Sequence, residues 1–139
     1  MHVHLLGPGD EELLIRAVRM IGEAELSALQ AQNHLDDQAL VAVAAVEHGE
    51  PVGFVYGYVL RRFEYTDVLI YSVDVAEAYR RRGVGRAMME RLHALKDQRG
   101  WAGMWVLTNR SNPAAMRLYE SAGGIIPLPD DVVMFDFYD

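Results

Sequence analysis

The chain has 139 residues, 51% of them hydrophobic and 24% charged, which supplies enough apolar surface for one core and predicts a single domain over residues 1–139. Its formal net charge of −7 argues against nucleic-acid binding and favours a cationic partner. No run approaches the ~20 apolar residues of a membrane helix, and the start MHVHLLGPGDEE lacks the pattern of a secretion signal, so we expect a cytoplasmic protein that does not bind membranes.

The first part of the chain predicts a strand and then a helix. HVHLL is typical of a short strand, which GPG ends. Asp10 stands where its side chain can cap a helix that runs to about Gln30, with a break near Gly22. Apolar residues recur there at helical spacing, namely Leu13, Leu14, Ala17, Val18 and Ile21. The following HLDD, which contains His34, Asp36 and Asp37, is expected to be a solvated loop.

The middle of the chain predicts three strands. ALVAVAAVEHGEPVGFVYGYVL contains two β-rich runs separated by HGEP, which indicates a hairpin, and VLIYSVDV is the third run. Gly53 and Gly57 interrupt the second run, which marks places where another backbone or a ligand comes close.

The last part predicts a helix from Val84 to near Gly100, a buried strand GMWVLT, a helix over about 112–122 and a final strand VVMFDFY. The side chains expected to fill the core include Met88, Met89, Trp101 and Trp105. Strands and helices alternate around one sheet whose first half is mostly antiparallel. We therefore predict an α/β fold with a central mixed sheet flanked by helices.

The sequence YRRRGVG places three arginines and two glycines between a strand and a helix, and we call Arg80 to Arg86 the arginine turn. A helix N-terminus presents unpaired N–H groups that attract anions, and glycines let a ligand approach the backbone. The turn lacks the Gly-Lys-Ser/Thr of a P-loop, and Met88 stands where a dinucleotide fingerprint has its third glycine. The pattern predicts pyrophosphate binding, with a solvated basic surface as the alternative.

Arg80, Gly83 and Gly85 resemble the acetyl-CoA signature of the GNAT acetyltransferase superfamily. A second motif, NPAAMRLYESAGG, resembles that family's later pattern through Asn112 and Tyr119. Within the superfamily, the chain is most similar to type I aminoglycoside 3-N-acetyltransferases, because of ALVAV, YVLRRFE and the terminal VVMFDF.

The resemblance implies that acetyl-CoA is the co-substrate. In the family, backbone N–H groups of the arginine turn hold the pyrophosphate, the strand before the turn pairs with the pantetheine arm, and Tyr119 acts as general acid. The implied acetyl-CoA-binding residues are Val73, Val75, Arg80, Arg81, Arg82, Gly83, Val84, Gly85, Arg86, Asn112 and Tyr119. From periodicity alone Tyr119 is equally a packing residue, and Asn112 is a helix N-cap before Pro113.

The general base is less defined. A primary amine has a pKa of ~10 and is mostly protonated at neutral pH, so a carboxylate, a water relay or selection of the neutral amine must act. Ser72 stands where the narrower family has an aspartate, and Asp74 lies on the same face of the strand. The resemblance adds Asp136 and Glu64; we rank Asp74 and Asp136 together, then Glu64, with solvated acids as the alternative.

These residues predict an acetyl-CoA-dependent N-acetyltransferase that acts on a small polycationic amine. The most specific form of this prediction is an aminoglycoside acceptor, whose acetylation would confer antibiotic resistance. The alternatives are an acetyltransferase for another small amine or a protein amine, and a non-catalytic acyl-CoA-binding module. No metal is expected, because His2 and His4 lack a third ligand at suitable spacing and the chain has no cysteine. A homodimer is compatible with these expectations.

Overall fold

The computed structural model describes residues 1–127 and 131–138. Within them, the strands are β1 (His2–Leu5), β2 (Leu40–Glu47), β3 (Glu50–Arg61), β4 (Thr66–Val75) and β5 (Gly103–Val106). The helices are α1 (Glu11–Met20), α2 (Ala28–Asp36), α3 (Val84–Arg99) and α4 (Pro113–Ser121). The strands form one sheet in the order β1-β2-β3-β4-β5, antiparallel except for the parallel pair β4 and β5. The predicted mixed sheet flanked by helices is confirmed.

Each face of the sheet buries its own apolar cluster, and β2 contributes to both. Val41 and Val43 point toward Met88 and Leu92 of α3, whereas Ala44 packs with α1 and α2 on the other face. A strand covered on both sides is apolar on both faces, as β2 is from Leu40 to Val46. We call the two sides of the sheet the α3 face and the α1/α2 face; α4 packs on the α3 face.

The first helical region consists of two helices rather than one, as the break expected near Gly22 indicates. Gly22 adopts a left-handed φ of +74°, which ends α1, and Ser27 begins α2 with a reciprocal capping box to Gln30. Helix α2 continues to Asp36, so the prediction that this segment is a loop was wrong for His34 and Asp36. The capping role predicted for Asp10 was also wrong, because its carboxylate accepts a hydrogen bond from the Gly7 N–H at 2.9 Å.

Both glycines of β3 lie where another group comes close, as predicted. A Cβ on Gly57 would collide with the backbone oxygen of Leu69, at a β-bulge between β3 and β4. A Cβ on Gly53 would lie 2.8 Å from Val84 and 2.9 Å from Met88, so this glycine lets α3 pack against the sheet.

The end of the chain differs from the prediction. Strand β5 has four residues, and Trp105 is 38% exposed instead of filling the core. The expected final strand is not formed: Val132 to Tyr138 lie outside the sheet with exposed side chains. Apolar alternation gives a segment strand propensity, but a strand forms only where a partner edge accepts its hydrogen bonds. None of the helices in the described ranges is long and apolar enough to cross a bilayer.

Candidate active site

The sheet opens where β4 separates from β5. Residues 67–70 of β4 pair with residues 103–106 of β5, and in the described part of the chain no β5 residue pairs with Tyr71 to Val75. A β-bulge lies at the same point, because Tyr56 and Gly57 of β3 pair with Ser72 and Ile70, which leaves Tyr71 as the extra residue. The second half of β4 therefore presents a free edge beside a local bend.

The free edge of β4 offers backbone groups to a ligand. The Ala76 N–H donates to the Val52 carbonyl at 2.8 Å, so alternation directs the N–H groups of Val73 and Val75 away from β3 and into the opening. The Val75 N–H donates to the Asp74 carboxylate at 2.8 Å, and the Val75 carbonyl accepts from Arg80 Nε at 3.0 Å. Asp74 and Arg80, both predicted site residues, thus bind the backbone of Val75 at the end of the edge. The N–H of Val73 instead points into the opening.

The arginine turn follows a 3₁₀ turn at Glu77–Tyr79 and leads into α3. Arg81 and Gly83 both have left-handed backbone, with φ of 62° and 80°. A left-handed non-glycine residue is uncommon, and alternation of right- and left-handed residues gathers successive N–H groups into an anion-binding concavity. Among the described residues, no side chain caps the first turn of α3, so its N–H groups remain available there.

Side chains around the arginine turn define its surroundings. The Arg82 guanidinium lies 5.3 Å from the centre of the Tyr79 ring, and an open cavity of about 270 Å³ adjoins this pair. Its other lining residues are Met1, Glu47, His48 and Val84. Gly85 is buried, and a Cβ there would lie 3.1 Å from Leu118, so its small size also allows α3 to approach α4.

Helix α4 carries the second motif. The Asn112 side chain accepts from the Ala115 N–H at 3.1 Å and caps the helix, with Pro113 in the first turn, as one of the two interpretations predicts. Tyr119 is half-buried against the core of the α3 face. Burial raises the pKa of its phenol above the usual value of 10, so the hydroxyl keeps its proton at neutral pH.

The three candidate bases lie in different places. Asp74 pairs with Phe54 in the sheet, on the α1/α2 face that Ser72 shares, and its carboxylate lies 3.7 Å from Arg80. Asp136 belongs to the exposed terminal segment and accepts from the Tyr138 N–H at 2.9 Å. Glu64 lies in the β3–β4 turn, and at a rise of ~3.3 Å per residue the length of β4 places it roughly 20 Å or more from Asp74, even with the bulge. The structure therefore does not bring Glu64 to the free edge.

Three tyrosines form a surface cluster that the sequence patterns did not reveal. We call Tyr56, Tyr58 and Tyr71 the tyrosine cluster. Their ring centres lie 5.6 Å apart for Tyr56 and Tyr71, 6.2 Å for Tyr56 and Tyr58, and 6.3 Å for Tyr58 and Tyr71. The Tyr56 hydroxyl donates to the Glu23 carboxylate at 2.6 Å. Alternation of Tyr56 and Tyr58 is visible in the sequence, but the bulge that brings Tyr71 and Ser72 to them is not.

Burial raises the pKa of Tyr56 and of Tyr58, and the nearby Glu23 carboxylate adds to both shifts. Both phenols are therefore neutral at physiological pH.

Within the described residues, no group of three histidine, aspartate or glutamate side chains is placed to hold a metal ion. The surface beside the opening is thus aromatic and acidic, and the turn at the end of β4 is basic.

Comparison with solved structures gives full-length matches. An aminoglycoside acetyltransferase from an uncultured soil metagenomic sample is 29% identical with a TM-score of 0.83, and the match covers 99% of this chain and 97% of that chain. A second aminoglycoside acetyltransferase from an uncultured soil metagenomic sample, in complex with sisomicin, has a TM-score of 0.83 at 17% identity, covering 99% and 94%. The second likeness shows the fold alone.

Curated relatives match shorter segments. The [Ribosomal protein bS18]-alanine N-acetyltransferase of Escherichia coli (strain K12) is 39% identical over 57 residues, which are 41% of this chain and 38% of that protein. The L-2,4-diaminobutyric acid acetyltransferase of Streptomyces avermitilis is 36% identical over 87 residues, 62% of this chain and 48% of that protein. The chain thus matches less than half the length of these relatives.

The Acetyltransferase (GNAT) family model matches residues 11–124, from the first residue of α1 to the glycines after α4. This range includes the opening between β4 and β5, the arginine turn and Tyr119. The match covers well over half of the chain, and the chain therefore belongs to the GNAT family of acetyltransferases.

Proposed function

We propose that the chain is an acetyl-CoA-dependent N-acetyltransferase whose acceptor is a polycationic amine, with aminoglycosides as the first candidates and their 3-amino group as the expected target. One observation carries this proposal. Strand β4 ends in the basic arginine turn, and its bulge joins the aromatic and acidic tyrosine cluster on the α1/α2 face. A single strand therefore lies beside a surface suited to an anionic donor and a surface suited to a cationic acceptor.

The residues on the donor side fit acetyl-CoA, which supplies the acetyl group when bound. Its pyrophosphate suits the N–H groups of the left-handed turn and of the uncapped first turn of α3. The Val73 N–H suits a carbonyl of the extended pantetheine arm or the acetyl carbonyl, because it points into the opening. Val75 can donate in the same way only after Asp74 releases its N–H.

Two side chains are proposed to manage protons. Tyr119 holds a proton for the departing thiolate, since burial keeps its phenol protonated at neutral pH. Asp74 is the carboxylate placed to remove a proton from the acceptor amine, because it lies at the free edge on the α1/α2 face. Asp136 stays an alternative base, and replacing each carboxylate by its amide distinguishes the two.

The acceptor class is supported by similarity and charge. The 29% identity over nearly the full length is to an aminoglycoside acetyltransferase, and the chain carries a net charge of −7. A small diamine is the second candidate, because the match that covers 62% of the chain is to a diaminobutyric acid acetyltransferase. Both acceptors carry more than one amino group, which distinguishes them from a protein N-terminal amine.

The proposal is tested by measuring thiol release from acetyl-CoA with gentamicin, kanamycin, spermidine, L-2,4-diaminobutyrate and a peptide with an N-terminal alanine. We expect turnover with the aminoglycosides, and product analysis should locate the acetyl group on the 3-amino nitrogen. Acetylation at another nitrogen would support the assignment of aminoglycosides as substrates and contradict the assignment of the 3-amino group as the target. Turnover with the peptide or diaminobutyrate alone would reject the aminoglycoside assignment.

A further inference from the structure

We propose that Glu23 and the tyrosine cluster form a subsite for a second ammonium group of the acceptor, one that is bound but not acetylated. This inference rests on the proposed function, because it names how a polycationic amine would be recognised. It concerns the bulge at the start of the free edge of β4, whereas the acetylated amine is placed at Asp74 near its end. The residues that carry it are Glu23, Tyr56, Tyr58 and Tyr71.

The geometry of the rings favours a cation. Tyr56 and Tyr71 lie with an angle of 31° between their planes, and Tyr58 stands at 88° and 81° to them. Three mutually contacting rings in this arrangement present both faces and edges to a ligand, and the faces of aromatic rings attract ammonium groups. Tyr58 is 36% exposed and Tyr71 is 62% exposed, so their rings can be reached from solvent.

The negative charge beside the rings belongs to Glu23. Among the residues that the structure describes, no lysine, arginine or histidine forms an ion pair with Glu23. Glu25, two residues further along the same connection between α1 and α2, is paired with Arg19 at 2.9 Å. The Tyr56 hydroxyl donates to one oxygen of Glu23 at 2.6 Å, which holds the carboxylate at the edge of the cluster.

The subsite lies next to the opening of the sheet. Tyr71 is the first residue of β4 beyond the pairing with β5, and Ser72 pairs with Tyr56. An amine placed at the free edge would therefore have its neighbouring substituents beside these rings. A ligand with two or more ammonium groups can occupy both places, whereas a monoamine can occupy only one.

The Tyr56–Glu23 hydrogen bond also ties the α1–α2 connection to the sheet, so the test must separate binding from anchoring. Glu23→Gln keeps an oxygen that accepts from Tyr56 and removes the charge. Glu25→Gln is the matched control, because it makes the same chemical change on the same connection. Tyr71→Leu removes an exposed ring of the cluster, and Tyr65→Leu is its control, because Tyr65 is 50% exposed in the turn at the other end of β4.

Steady-state kinetics with gentamicin and with n-butylamine give the primary readout. We expect Glu23→Gln and Tyr71→Leu each to raise the KM for gentamicin by about threefold to fivefold, with kcat, the KM for acetyl-CoA and the KM for n-butylamine unchanged. The double variant should raise it by about tenfold. An unchanged KM for gentamicin, or an equal rise for n-butylamine, would overturn the subsite.

Calorimetric titration of gentamicin without acetyl-CoA separates this inference from the proposed function. If the wild-type protein binds gentamicin and Glu23→Gln and Tyr71→Leu weaken that binding while the two controls do not, the subsite is supported even in a protein that acetylates no amine tested. If the wild-type protein does not bind gentamicin at millimolar concentration, or if the two variants bind it as the wild type does, the subsite is rejected even in a protein that acetylates aminoglycosides.

Discussion

Asp74 and Arg80 lie 3.7 Å apart at the end of the free edge of β4, so the proposed base is in contact with the first residue of the arginine turn. Arg80 also donates to the Val75 carbonyl, and Asp74 accepts from the Val75 N–H. An anion at the turn competes with Asp74 for the Arg80 guanidinium. In the proposed mechanism, donor binding and release of the Asp74 carboxylate are therefore coupled through this pair.

Asp74→Asn should lower kcat/KM for the acceptor by about 100-fold at pH 7, because loss of a general base costs about that factor or more. The KM for acetyl-CoA should change much less. Asp136→Asn and Glu64→Gln serve as comparisons, and we expect neither to lower kcat/KM by more than about threefold, within the range of exposed charges. A larger loss in Asp136→Asn than in Asp74→Asn would transfer the role of base to the terminal segment.

Tyr119→Phe should lower kcat by about 100-fold, with the affinity for coenzyme A and the thermal midpoint nearly unchanged, because it removes the hydroxyl and keeps the ring. The raised pKa of Tyr119 extends the protonated form to higher pH, so this group should not limit the wild-type rate until the pH exceeds 10. Tyr65→Phe, in the exposed β3–β4 turn, is the control. Turnover of Tyr119→Phe at the wild-type rate would mean that water protonates the thiolate.

Gly83→Ala should weaken coenzyme A binding as well as stability. Its φ of 80° is left-handed, and an alanine there costs about 1–2 kcal/mol. Gly22 has a φ of 74°, and at Gly22 as at Gly83 an added Cβ would meet no described residue other than the chain neighbours within 4 Å, so Gly22→Ala should cost a similar amount of stability. Calorimetry should show weaker coenzyme A binding in Gly83→Ala alone. Equal binding by both variants would argue against the turn as the pyrophosphate site.

Gly57→Ala should destabilise the protein more than Gly53→Ala. The added methyl group at position 57 would collide with the backbone oxygen of Leu69, and this oxygen can move only if the backbone of the bulge moves. At position 53 the nearest atoms belong to Val84 and the flexible end of Met88, so we expect about 1–2 kcal/mol there and about 3 kcal/mol or more at position 57. Denaturant unfolding measures the difference, and the reverse order would mean that the bulge adapts easily.

The free energy of unfolding should change little between about pH 8 and pH 9 and fall above about pH 10, where tyrosines of the unfolded chain ionise. Burial raises the pKa of Tyr56, Tyr58 and Tyr119, so the folded protein retains protons that the unfolded chain has lost. By linkage, this contribution is complete below the unfolded pKa and is lost as the pH rises through the folded values. Tyr56→Phe should reduce the alkaline slope in urea unfolding measured from pH 8 to 11, and a wild-type slope in that variant would contradict this expectation.

Local patterns predicted the features that depend on neighbouring residues. A few adjacent side chains are enough to predict three such features. They are the Asn112 cap before Pro113, the break at Gly22 and the start of α3 within the arginine turn. Glu64 was a candidate base through the resemblance, but it lies in the β3–β4 turn, at the opposite end of the strand from Asp74.

Features that depend on register were not predictable in this way. The tyrosine cluster requires a bulge that brings Tyr71 and Ser72 to Tyr56, and no residue of the single sequence specifies that register. Trp105 and the terminal VVMFDFY have the composition of core and strand, but their burial depends on partner surfaces that composition does not encode. The structure at these positions is determined by tertiary pairing rather than by the local propensity of the sequence.

The bulge in β4 has a consequence for how such an enzyme can change. The acceptor subsite that we propose depends on the α1–α2 connection, β3 and one irregularity of β4, while the arginine turn, α3 and α4 form the donor side. A library randomised at Glu23, Tyr58 and Tyr71 would therefore explore new amines while leaving the thioester chemistry intact. The choice of acceptor could then change from variant to variant, while each variant keeps the acetyl-CoA side of the site unaltered.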